Sequence, residues 1–138
     1  MKTRGANIAM YWGPVFIWMV GIYLLSNTTL STLGQIKEGS ALLPWYVSKA
    51  VTSEYVVHIF EFGVLAVLVY RLLLSIQALR IRSVLLITLA WAVAFGILDE
   101  IHQSFVAGRH SSLSDVGLDS AGAFIAVALV FRLGYFRR

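Results

Sequence analysis

Residues 99–115, DEIHQSFVAGRHSSLSD, gather three carboxylates, two histidines, an arginine and a glutamine in a chain of which only 13% is charged. A second polar group lies upstream. EYVVHIFEFG places Glu54, His58 and Glu61 at i, i+4 and i+7, which on a helix turning ~100° per residue falls within an arc of roughly 60°. Residues of these types suit acid–base or metal-assisted chemistry. His58 and His102 are candidate proton carriers or ligands, and Glu61, Asp99 and Asp115 candidate bases or ligands. Glu54, Glu100, Gln103, Arg109 and Asp119 are candidate substrate-binding groups, with Arg109 suited to an anion. The pairs His58-x-x-Glu61 and Asp99-x-x-His102 resemble the i, i+3 carboxylate–histidine pairs that hold metals in helical bundles. They make His58, Glu61, Asp99 and His102 candidate ligands of a divalent metal. There is no Ser-His-Asp arrangement, Gly-rich phosphate loop or zinc-protease motif, and the absence of Cys excludes thiolate sites and disulfides.

Each residue also has a purely structural use. Glu54, His58 and Glu61 could be a polar stripe gripping a neighbouring helix. Asp99, His102 and Gln103 share one helix face, with Glu100 rotated off it, and could form an ordinary charged helix end. Ser112-Leu-Ser-Asp115 fits a capping box, Ser112 at the N-cap and Asp115 at N3. Asp119 lies one turn further in, ~40° from Asp115 on the same face. Gly117 and Gly122 would allow close helix approach. The start of that helix, preceded by Gly108, Arg109 and His110, could receive a phosphate or other anion, or Arg109 could be a boundary anchor.

The elements that must position these residues follow from composition. A chain of 138 residues that is 59% apolar departs from the ~45–50% of soluble domains, and one so short cannot bury that much in a single core. It belongs in a bilayer. A single domain over 1–138 is expected, all-α, as a bundle of four transmembrane helices at about 8–25, 52–71, 83–103 and 114–132. The last two reach the ~20 residues a span needs only if their polar flanks stay helical. Lys2 and Arg4 before an apolar run resemble a signal peptide, but no small-x-small cleavage site follows at Ser26-Asn27-Thr28, so a retained first helix is expected. Pro14 could kink it. In the loop 26–50, LLPWYVSKA would lie along the interface through Trp45 and Tyr46.

Lys2, Arg4, Arg71, Arg80, Arg82, Arg132, Arg137 and Arg138 flank one face of this arrangement, so both termini are expected to be cytoplasmic. Lys37, Lys49, Arg109 and the acidic residues fall on the external half. Glu61 is ten residues before Arg71, ~15 Å along the helix, near the middle of the bilayer. An ionised carboxylate there is costly unless paired, neutralised or facing water. The expected picture is a polar cavity with His58 and Glu61 as its floor and 99–115 as its outer rim, built by the second, third and fourth helices.

DEIHQSFVAGRHSSLSDVGLDSAGAF resembles the VanZ-like family's Asp-Glu-x-His-Gln-x-Phe, then Gly-Arg, then Asp with a Gly in the next helix; HIFEFGVL is similar to its His-Phe-x-Glu-Tyr segment. The two cover spans two to four in the family's order. The chain departs from the pattern in having Glu54-Tyr55 for Asp-Lys, Ala107 for Pro before Gly108-Arg109, and Asp119 for Asn. The first departure removes a cation that would balance the buried carboxylate. The resemblance implies a multi-span membrane protein tied to the cell envelope and to glycopeptide response, the family being named for a protein associated with teicoplanin resistance. It supplies no reaction.

Three functions are open to such a chain. One is a membrane-embedded enzyme acting from the external side on a lipid-linked envelope substrate. Another is a non-catalytic binder of a glycopeptide or lipid precursor. A third is a proton-coupled carrier using an intramembrane Glu–His pair, which at this size would have to oligomerise. Membrane lipids are expected partners in each. Nucleic acid is not, because the basic residues form no patch with interleaved aromatics.

Overall fold

The computed structural model describes residues 4–27, 54–76, 79–109 and 111–134; the side chains of residues 4–9 and 54 are not described. Four helices follow in order: α1 (Arg4–Ser26), α2 (Glu54–Leu74), α3 (Ile81–Gln103) and α4 (Leu113–Arg132). No strand occurs among the described residues. The polar flanks of the third and fourth spans do stay helical, so α3 carries Asp99 through Gln103 within its last turns. Three helices are long and apolar enough to cross a membrane: Tyr55–Leu74, Ile81–Gln103 and Leu113–Arg132. The apolar part of α1, Met10–Ser26, is shorter. It continues through Pro14 without a break. Trp45, Tyr46, Lys2, Lys37, Lys49, Arg137 and Arg138, on which the interfacial segment and part of the charge asymmetry depend, lie outside the described residues.

α2 is the central helix. It packs against the other three and most extensively against α4, and half of its apolar window is buried within the chain, compared with 22% for α3 and α4. Its buried face, Phe62, Leu65, Ala66 and Val69, meets Val84 and Ala92 of α3 and Ala123 and Val127 of α4. Large apolar side chains such as Phe16, Ile17, Leu86, Phe105 and Phe124 stay exposed, an apolar exterior suited to lipid. Small residues set the helix spacing. A Cβ on Gly122 would lie 2.8 Å from the Ile59 Cα, one on Gly63 3.4 Å from the Gly122 carbonyl oxygen, and one on Gly96 2.9 Å from Asp119 Oδ2. The expected close approach is therefore made at Gly122; Gly117, expected to share it, faces open space.

The connection from α3 to α4 is tight. Backbone N–H groups of Ser104, Phe105 and Val106 bond the carbonyls of Glu100, His102 and Gln103, and Arg109 N–H bonds Val106. Gly108 takes φ 81°, a left-handed conformation that Gly adopts without a Cβ clash. This turn holds the end of α3 beside the start of α4.

Candidate functional site

The C-terminal ends of α1 and α3 meet the N-terminal halves of α2 and α4, and polar side chains from all four join there. At the centre is a pair between α2 and α4: His58 Nδ1 lies 2.9 Å from Asp119 Oδ1, with both residues buried. The Gly122–Ile59 approach makes it reachable, since His58 immediately precedes Ile59 and Asp119 lies one turn before Gly122. The other Asp119 oxygen, Oδ2, points toward Gly96, where there is no side chain.

Glu100, placed off the functional face by its helical position, is buried like Asp99 and Gln103, while His102 is only half-buried. The buried face of α3 centres on Gln103, which lies angularly between Asp99 and Glu100. That rotation turns Glu100 inward and His102 toward the rim. Glu100 Oε2 accepts the Ser112 backbone N–H at 2.6 Å. Ser112 is the N-cap as expected, its Oγ accepting from Ser114 N–H at 3.2 Å. The capping box, however, is not closed by Asp115: its reciprocal bond to the N-cap N–H is made by Glu100, from the preceding helix. An internal carboxylate thus already serves the start of α4, where an external anion was considered. Asp115 instead faces His58 and Glu100, and the three offer one ligand atom each, all within 4.8 Å of one another. Of the expected metal set His58, Glu61, Asp99 and His102, only His58 belongs to this group.

Asp99 and His102 are used differently. Asp99 accepts Ser26 Oγ–H at 2.5 Å and Gln103 Nε2–H at 2.7 Å. His102 Nε2 lies 3.2 Å from Asn27 Oδ1, its ring 4.5 Å from that of Tyr23, and Asn27 donates to the Tyr23 carbonyl. Both residues tie α3 to the end of α1. Trp18 of α1 donates its indole N–H to the Glu61 backbone carbonyl at 2.9 Å. The first helix therefore closes the site, a contribution absent from the three-helix expectation. Its sequence signal was the polar pair Ser26-Asn27 ending an apolar run at the level of Asp99.

Electrostatically these groups are one cluster. Glu61 is acted on by the charges of His58, Asp99, Asp119 and Arg109, and His58 by Asp119, Asp115 and Glu100. Among the described residues five carboxyl groups, Glu61, Asp99, Glu100, Asp115 and Asp119, thus share their surroundings with the His58 imidazole and the Arg109 guanidinium. Glu61 Oε1, Glu100 Oε1 and Asp119 Oδ2 are buried without a hydrogen-bond partner among the described residues. Buried polar atoms normally have partners, and exceptions require a reason. The Glu54 side chain and His110 lie outside the described residues. What remains can hold an imidazole in one orientation beside several carboxylates, an arrangement able to move protons or grip a cation.

A family model described as VanZ/LLP1 matches residues 11–134, nearly the whole chain. No curated protein and no solved structure matches it.

Proposed function

The chain belongs to the VanZ-like family and is a membrane protein, three of its helices being long and apolar enough to cross; from that premise we propose that it performs acid–base chemistry on a lipid-linked envelope substrate. In this reading α1 completes four spans, both termini are cytoplasmic, and the polar cluster opens to the external side of the cell membrane. The positive flanks support that orientation. The role is tied to glycopeptide resistance of the teicoplanin type, as the family resemblance implies. Membrane lipids and an envelope precursor or glycopeptide are its partners, and a second copy of the chain can join them.

The observation that carries the reading is the buried His58–Asp119 pair. A carboxylate bonded to Nδ1 fixes the imidazole's tautomer and orientation, leaving Nε2 to exchange a proton with whatever enters. Desolvating such a pair is expensive and rarely worthwhile for stability alone. Glu61, with one oxygen unpartnered among the described residues and acted on by the charge of His58, is the second proton-exchanging group. His58→Gln tests the proposal, because the Gln amide can still donate to Asp119 but cannot take up or release a proton. In cells that depend on the protein for teicoplanin tolerance, the variant should accumulate as folded protein and give no protection. Full protection from folded His58→Gln would remove proton transfer and leave a non-catalytic binder.

A further inference from the structure

Three features of the cluster are compatible with a single bound ion. His58, Glu100 and Asp115 each present a ligand atom within 4.8 Å of the others, a span a single ion can bridge, since metal–nitrogen and metal–oxygen bonds are ~2.0–2.2 Å. Glu100 is 6% exposed, and with Oε2 engaged by Ser112 N–H its Oε1 is buried with no partner among the described residues. His58 has its Nδ1 on Asp119, so the nitrogen left for a ligand is Nε2. A carboxylate on the far nitrogen is the usual support of a metal-bound histidine, orienting the ring and raising its basicity.

The charge balance points the same way. Among the described residues five carboxyl groups surround His58 with Arg109 as the fixed cation near them, and a bound cation would compensate those that ionise away from water. One nitrogen and two carboxylate donors suit Zn2+ or Mn2+ better than Ca2+ or Mg2+, which favour all-oxygen sets. Three protein ligands also leave a coordination position open.

We propose that His58, Glu100 and Asp115 bind a divalent transition-metal ion, Zn2+ or Mn2+, with Asp119 holding His58 from behind. The site overlaps the cluster of the acid–base reading, but binding is measured without turnover, so the two can fail separately. The full chain, purified in detergent and stripped with chelator, is titrated with Zn2+ and with Mn2+ by calorimetry, and its melting temperature followed. About one equivalent should bind and raise the melting temperature. Asp115→Asn and Glu100→Gln should abolish saturable binding. Asp119→Asn, which acts through His58, should weaken it roughly 10–100-fold, and His102→Gln should leave it unchanged. Asp115 is only half-buried, so its variant reports binding even where Glu100→Gln disturbs the start of α4. No saturable uptake by the unaltered chain, or uptake that survives Asp115→Asn and is lost in His102→Gln, overturns the proposal. Normal uptake by the unaltered chain, together with full protection by folded His58→Gln, would remove the acid–base reading and leave the metal site standing.

Discussion

A methyl group added at Gly122 should damage the site without touching it. The Cβ of Gly122→Ala would sit 2.8 Å from the Ile59 Cα and 2.9 Å from its carbonyl carbon. Carbon atoms settle at ~3.5–4.0 Å, so α2 and α4 must separate by roughly 0.7–1.2 Å, and backbone cannot yield as a flexible side chain would. His58 and Asp119 flank this contact, and their 2.9 Å bond would stretch to roughly 3.6–4.1 Å if the shift reached them undiminished, beyond the ~3.2 Å limit. Overpacking costs ~1–3 kcal/mol and loss of a charge-assisted bond ~1.5–3 kcal/mol, offset by ~0.5–1 kcal/mol from removing a mid-helix glycine. The net is a destabilisation of roughly 1.5–5.5 kcal/mol. Denaturant unfolding in detergent should show it against Gly117→Ala, whose methyl meets nothing within 4 Å. The His58 ring resonances, followed by NMR, should move in the first variant and not in the second. Equal stability of the two, with His58 undisturbed, would refute the reasoning.

Three further outcomes follow from residues already placed. A reporter fused after Arg138 should be active only in its cytoplasmic form; external activity would invert the site's proposed side as well. Arg109→Lys should impair protection, because a planar fork that acts on Glu61 and can grip an anion bidentately is replaced by a point charge, and full activity in the Lys variant would reduce Arg109 to a boundary charge. Glu61→Gln should abolish protection at normal expression, whereas a merely structural Glu61 would tolerate Gln and lose melting temperature only as Glu61→Leu.

The helices were largely legible because apolar runs and their flanks are local properties. The four helices among the described residues lie within a few residues of the expected spans, and Ser112 begins α4 as its sequence suggests. Which face meets which was not legible. Helical spacing put Glu54, His58 and Glu61 on one side of α2, but only the Gly122 approach sets Asp119 against His58. Glu100 was misplaced for a related reason: the rotation of α3 depends on its packing against α2 and α4, and its bond to Ser112 depends on the turn through Gly108. Asp99 and His102, one of the two carboxylate–histidine pairs the sequence offers, are engaged by Ser26 and Asn27, residues more than seventy positions away.

Those separations bear on how the protein is made. Trp18–Glu61, His58–Asp119, Ser26–Asp99 and Asn27–His102 join positions 43, 61, 73 and 75 residues apart. At a synthesis rate of ~5–20 residues per second, each first-made member waits roughly 2–15 s for its counterpart to leave the ribosome. The second helix must therefore enter the bilayer carrying His58 and Glu61 while the codon for Asp119 is still untranslated. Insertion must tolerate those groups on the strength of the helix's own apolar residues, with compensation arriving only when α4 docks, insertion first and association afterwards. A nascent chain arrested before Asp119 lacks the carboxylate that orients His58, so the site comes into being with the last helix.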